Sequence, residues 1–305
     1  VRLDRVGDRT SIWGDVLVLP DASLFDAEQR IAEAVAAAVP GLGPLPPPLQ
    51  PMVADPLAYR LYVQAIGPLR QAHVFSDQVR RSYFQLERAV EIDPEFALAW
   101  AAMAVVLSQQ DRWFLEGIDR TAWEALARAE ALDRDHPDLL IARGFVQLTH
   151  GQEPGSDAAP DLVGPFLDAL AVQPESIRAR LGLAEALAAR GELRSALEVA
   201  ESALARAPRD VEVLGRVGRL NAGTRNWERA ETLIERAGAL QPDNYLPWQA
   251  RAEMRLMHTG DAREGMAILE MAPQGLIPDK LWADFHAYAG DTSWGSQVEL
   301  IKRAL

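Results

Sequence analysis

Apolar and small residues recur along most of this chain in paired, helix-length stretches, and the breaks between the pairs fall at regular places. Four phrases set the rhythm: Ala89-Val90-Glu91-Ile92-Asp93-Pro94, Ala169-Leu170-Ala171-Val172-Gln173-Pro174, Ala203-Leu204-Ala205-Arg206-Ala207-Pro208 and Ala237-Gly238-Ala239-Leu240-Gln241-Pro242. In each, an alanine stands five residues before a proline, and the prolines at 174, 208 and 242 are 34 and 34 residues apart. Seven residues before each alanine stands Ser82, Leu162, Ala196 or Ala230. A helix ends at each proline and a second opens after it, so the unit is a helical hairpin repeated along the chain.

The clearest copies are residues 177–208, with Ala184, Gly191, Ala196 and Ala203, and residues 211–242, with Gly218, Ala230 and Ala237. Looser copies flank them. Residues 97–133 keep Trp100, Ala104, Ala122 and Ala129 but stretch the turn over 109–120, and residues 138–174 keep Gly144, Phe166 and Ala169. Residues 57–94 keep Gly67, Ser82 and Ala89, and residues 245–273 keep Trp248 and Ala252, with Gly260 one place late. Residues 277–305 read as two closing helices, the second capped by Asp291, Thr292 or Ser293. Small residues let paired helices approach, while Trp100, Leu187, Leu197 and Leu233 fill the gaps between hairpins. No hairpin can bury its own apolar stripe, so the expected fold is all-α, a right-handed solenoid of about six hairpins.

The first 39 residues follow another rule. Residues 1–6 alternate, 7–10 have turn chemistry, and 11–18 alternate again, which predicts a β-hairpin. A helix is expected from about residue 24 to 39, capped by Asp21 or Ser23. Because Val1 opens in mid-strand, this piece is expected to continue upstream. Residues 40–54 are rich in proline and predict a semi-rigid linker. Its PxxP pairs, Pro44 with Pro47 and Pro48 with Pro51, fit a spacer better than a docking ligand.

This period, with small residues at these offsets, resembles the tetratricopeptide repeat over about residues 57–290. Residues 55–67 (Asp55-Pro56-Leu57-Ala58-Tyr59 onward) and 86–100 (Leu86-Glu87-Arg88 to Ala99-Trp100) resemble, more narrowly, the opening of the repeat region in a group of bacterial regulators. Those proteins join a winged-helix DNA-binding domain or an adenylate cyclase domain to a TolB-like domain and then to tetratricopeptide repeats. Residues 1–39, with Arg2-Leu3 on one strand and Trp13 on the next, look like the end of that TolB-like domain. The resemblance implies three parts: a TolB-like α/β fragment (1–39), the linker (40–54) and the repeat solenoid with closing helices (55–305). It also implies the sensory or regulatory region of a larger regulator, in the cytoplasm. The DNA-reading helix and the cyclase carboxylates of those proteins match nothing in this chain, so no effector residue is carried over.

Composition narrows the function. The formal charge is -13, so the chain has too little positive charge to neutralise phosphates. It has no cysteine, which removes thiol nucleophiles and zinc–thiolate sites. The apolar run at 96–107 is shorter than the roughly 20 residues of a membrane span. No HExxH, phosphate loop or nucleophile elbow occurs. Asp133, Asp135 and Asp138 mimic a calcium loop, but Asp138 stands where that loop needs glycine. His73, His136, His150, His258 and His286 are scattered, most of them near helix ends, which fits capping or solvated roles. No metal or cofactor is expected, and no catalysis. Trp113 and Phe114, in the stretched turn, either cover the hairpin end or form an exposed contact patch. Trp227 is expected to pack on the neighbouring turn.

In a solenoid of this kind the first helices line a concave groove. The repeat register places Arg178, Leu181 and Glu185 there from one hairpin, Glu212, Arg216 and Arg219 from the next, and Gln249 and Glu253 from the one after. The three arginines would suit an acidic peptide or a terminal carboxylate. The plainer expectation is that Glu212 and Arg216, four apart, form an ordinary helix-surface pair. The leading reading is therefore a non-catalytic scaffold for a protein or peptide partner, with self-association open to it. The alternative is a solenoid that senses a small molecule in an apolar cavity among the repeats before Pro174. Either way, the chain should not retain duplex DNA at physiological salt. An electrophoretic mobility titration that gave submicromolar binding would reveal a basic face that the sequence does not show.

Overall fold

The computed structural model describes residues 2–4, 11–14, 31, 33, 34, 36, 37, 55–69, 76–109 and 120–290, without 157 and 278. Two short strands, Arg2–Asp4 (β1) and Ser11–Gly14 (β2), pair antiparallel with Leu3 opposite Trp13. Residues 31, 33, 34, 36 and 37 are helical. The remainder of the expected helix, the linker, Trp113, Phe114 and the closing helix after 290 lie outside the described residues.

The described remainder is helical. Pro56–Leu69 (α1) pairs with Ser76–Ile92 (α2), and Ala97–Gln109 (α3) with Ala122–Leu132 (α4). Pro137–His150 (α5) pairs with Gly164–Val172 (α6), and Ile177–Ala189 (α7) with Leu193–Arg206 (α8). Val211–Gly223 (α9) pairs with Trp227–Leu240 (α10), and Leu246–Thr259 (α11) with Ala262–Glu270 (α12), against which Asp279–Tyr288 (α13) packs. Each first helix also touches the next one along the chain of α3, α5, α7, α9 and α11, most lightly between α7 and α9. This is the stacked-hairpin solenoid that the 34-residue period requires.

Helix starts are written in short polar residues. Thr121 and Glu124 form a reciprocal capping box at α4, Ser176 caps α7, Asp210 caps α9 and Asp261 caps α12. His136 accepts from the Asp138 amide at 3.2 Å and so caps α5. That is a structural use of the stretch that superficially resembles a calcium loop. Within hairpins the turn needs one residue of left-handed backbone. Gly191 (φ 79°) and Gly260 (φ 75°) supply it freely, but Arg225 does the same work at φ 62°. An L side chain is strained there, so the surrounding helices and not the residue itself impose the turn.

The core lies between the hairpins and runs the length of the array. The small residues picked out by the period, Ser82, Ala184, Ala196, Ala203, Ala230 and Ala237, are all buried. Closer approach still is bought with glycine. The Phe166 ring of α6 lies over Gly144 of α5 and Gly182 of α7, and a Cβ at Gly144 would sit 2.5 Å from it. Ile234 covers Gly218 in the same manner, and Phe285 of α13 covers Gly265 of α12. Trp227 stacks on His258 at the end of α11, with centroids 4.7 Å apart and planes at 18°. If helix contact at small residues holds the array, Ala196→Leu should overpack it and lower stability by about 1–3 kcal/mol. Ala205→Leu, on the exposed side of the same helix, should melt as the unaltered protein does. Equal melting temperatures for the two variants in thermal denaturation would show that the packing register is misplaced.

Candidate functional site

The first helices line one long depression with a cavity of about 460 Å³. Tyr62 and Ile66 come from α1, Leu98, Ala101, Ala102, Val105 and Val106 from α3, and Asp138 and Phe145 from α5. Ile177, Arg178 and Leu181 come from α7, Glu212, Val213 and Arg216 from α9, and Gln173, Ser176 and Asp210 from the turns before those two helices. The geometry has a simple origin. The second residue of four successive first helices faces the cavity, and these are Leu98, Asp138, Arg178 and Glu212. That column changes from apolar to charged along the array, so one end of the groove is oily and the other carries ionised side chains.

Of the residues expected to line the groove, Arg178, Leu181, Glu212 and Arg216 do so. Glu185 is not among the lining residues and pairs with Arg216. Arg219, Gln249 and Glu253 do not line the cavity; Gln249 donates to Glu253 at 2.7 Å on α11. The larger part of the apolar wall, from Tyr62 to Phe145, was not assigned from the sequence, because the early repeats are too degenerate to fix a register. The offset within each helix was the available signal: Ala101 stands where Leu181 stands, and Val105 and Phe145 stand where Glu185 stands.

The charged end is organised around Arg216. It makes an ion pair with Glu212 one turn earlier, at 2.9 Å, and another with Glu185 on α7. Its guanidinium also lies 5.9 Å from the centre of the Phe145 ring on α5, as does that of Arg178. One side chain therefore ties three successive first helices together, across an α7–α9 step where backbone contact is thinner than at the α3–α5, α5–α7 and α9–α11 steps. Burial works against this charge, but Glu185 and Glu212 outweigh it and hold the Arg216 pKa above its usual value. The stability it contributes is thus lost only as pH rises through that raised value, far from neutrality. Arg178 faces Asp138 at 3.8 Å.

Arg219 is the contrast. It is exposed to solvent and stands outside the cavity lining. Loss of water around it, with Arg216 nearby, pulls its pKa down, against the weaker attraction of Glu253. Among the described residues no three histidine or carboxylate side chains converge as a metal site would require. No helix among them is long and apolar enough to cross a membrane.

An array of hairpins spaced in this way, concave on its first helices, defines a class of helical-repeat protein. Residues 187–254 match the family model of the tetratricopeptide repeat. No curated protein matches the sequence. Among solved structures the chain is similar to YrrB, described as a tetratricopeptide repeat protein with an unusual peptide-binding site, at 18% identity over 66% of this chain and 93% of that one, with a TM-score of 0.37. It is also similar to the type IV pilus biogenesis factor PilW, at 16% identity over 79% and 98%, with a TM-score of 0.48. A tetratricopeptide repeat protein from Parabacteroides merdae is similar at 14% identity over 90% and 96%, again with a TM-score of 0.48.

The Arg216 lock can be tested against its neighbour. Arg216→Gln leaves Glu185 and Glu212 facing each other without a cation and should cost about 1–3 kcal/mol in chemical denaturation. Arg219→Gln removes a charge that its surroundings disfavour and should cost nothing. The reverse ranking would show that Arg216 is an ordinary surface arginine.

Proposed function

We propose that this chain is a non-catalytic scaffold that seats a protein or peptide segment on its concave face, as the regulatory or sensory region of a larger bacterial regulator. The observation that carries the reading is the continuous cavity built by the first helices of five successive hairpins. Its lining combines apolar side chains with ionised ones already fixed in place, which suits binding with orientation. The link to an upstream effector rests on the resemblance at residues 55–67 and 86–100, and self-association of the repeats belongs to the same proposal.

A second reading has its own observation. The apolar wall comes from helices before Pro174, and a cavity of this volume falls within the range of small-molecule sites, about 300–1,000 Å³. A metabolite held there would stiffen the repeats and signal upstream.

Because the chain has no cysteine, single thiols can be placed at will. A photo-crosslinker on Ala102→Cys, inside the groove, should capture a protein partner in cells producing the full-length protein. The same reagent on Ala205→Cys, exposed on α8, should not. Capture from Ala205→Cys alone would move the interface to another face, and capture from neither would remove the scaffold reading.

A further inference from the structure

The second helices can be compared position by position. Ala89, Ala129, Ala169, Ala203 and Ala237 are each fourth from the end of their helix, so counting back from the last residue puts α2, α4, α6, α8 and α10 in register. The sixth and fifth residues from the end are Glu87 and Arg88 on α2, Glu201 and Ser202 on α8, and Glu235 and Arg236 on α10. On α4 they are Ala127 and Arg128, and on α6 they are Leu167 and Asp168. The two helices between α2 and α8 thus carry less charge than their neighbours at the same positions.

Those two helices also present apolar surface to solvent. Leu167 is 50% exposed, Val172 55% and Leu132 37%, and Ala127, Ala131 and Ala171 are exposed beside them. Because α4 and α6 both pack on α5, they are neighbouring ridges on the outer side of the array. On either side of them the surface is held by ion pairs. Arg88 bonds to Glu91 on α2 at 2.7 Å, Arg206 of α8 to Glu175 at 2.7 Å, and Arg229 of α10 to Glu201 of α8 at 3.0 Å. An apolar patch with a charged border is the pattern of an interface.

The charges inside the patch say what covers it. Arg128 and Asp168 are both exposed and occupy the same position on their helices, with opposite sign. Neither forms an ion pair with a described residue; Arg128 lies 5.7 Å from the centre of the Trp100 ring. A two-fold axis along the seam between α4 and α6 would set α4 of one copy on α6 of another, with equivalent positions at the same height. Arg128 then meets the partner's Asp168, the small Ala127 receives the partner's Leu167, and Leu132 meets the partner's Val172. Each contact is made twice.

We infer that the outer face of α4 and α6 is a self-complementary interface through which two copies of this chain pair back to back. The inference rests on the self-association included in the proposed function and gives it a face; it does not depend on what the groove binds. Since the first helices line the groove and the second helices form the interface, both grooves of the dimer stay open.

The test is analytical ultracentrifugation of the full chain. Two helix faces offer less area than the roughly 800 Å² per partner of a standard interface, so a reversible dimer with a Kd of about 1–100 μM is expected. Leu167→Glu, at an exposed position, should weaken it by about tenfold or more, whereas Leu240→Glu on α10 should leave it unchanged. Arg128→Asp alone and Asp168→Arg alone should each set like charges against one another and weaken the dimer. An equimolar mixture of these two variants should pair as the unaltered chain does, because opposite charges then meet at both contacts. Circular dichroism should show all four variants as helical as the unaltered chain. A chain that stays monomeric up to about 200 μM, a dimer that survives Leu167→Glu, or single charge variants that do not recover on mixing would each overturn the inference. The Ala102→Cys crosslink tests the groove separately, so either reading can fail without the other.

Discussion

A helical hairpin of about 30 residues has one apolar stripe on each helix and no interior of its own in which to bury it, so it is stable only against a neighbour like itself. Most features of this chain follow from that. The buried residues do not gather round a centre; they run between hairpins from Ala58 on α1 to Phe285 on α13. The distance between neighbours is set by whichever residue is smallest at the crossing. Where it is alanine, as at Ala184 and Ala196, helices meet face to face. Where it is glycine, as at Gly144, Gly182, Gly218 and Gly265, a ring or branched side chain from another helix drops into the space.

The groove is the other face of the same constraint. Since second helices and turns take up the spacing on the outer side, the first helices converge on the inner side and expose one register of residues. That register is apolar early in the array and ionised later, and the ions have been set against one another. Arg216 is the clearest case: its partners lie on its own helix and on α7, and the aromatic face it covers lies on α5. A cation with contacts on three hairpins links their first helices at the charged end of the groove.

The repeat was legible in the sequence because its periodic positions are those where chemistry is least negotiable. An alanine at a helix crossing and a proline after a helix can be read without a structure. From that register Arg178, Leu181, Glu212 and Arg216 could be placed on the concave face, and the structure puts them on the cavity wall. What could not be read was pairing across repeats. The Arg216–Glu212 bond is a four-residue spacing visible in the sequence, whereas the bond to Glu185 reaches 31 residues back and depends on the angle between hairpins. For the same reason Arg219, three residues from Arg216, looked equivalent to it and is not. The apolar wall from Tyr62 to Val106 was missed where the repeats had drifted, since a degenerate copy keeps its packing but loses its punctuation. Arg225 shows that drift from within: it occupies a glycine's conformation in one of the clearest copies.

Phe166 has a consequence for how such an array can change over time. Its ring occupies space that Gly144, in its own hairpin, and Gly182, in the following one, both leave vacant. An exchange of the following hairpin that placed any side chain at Gly182 would set it against that ring. The hairpins therefore resemble cut stones more than beads on a thread. α5, α6 and α7 are fitted to one another through that ring, so a change at Gly144, Phe166 or Gly182 calls for a matching change at the others.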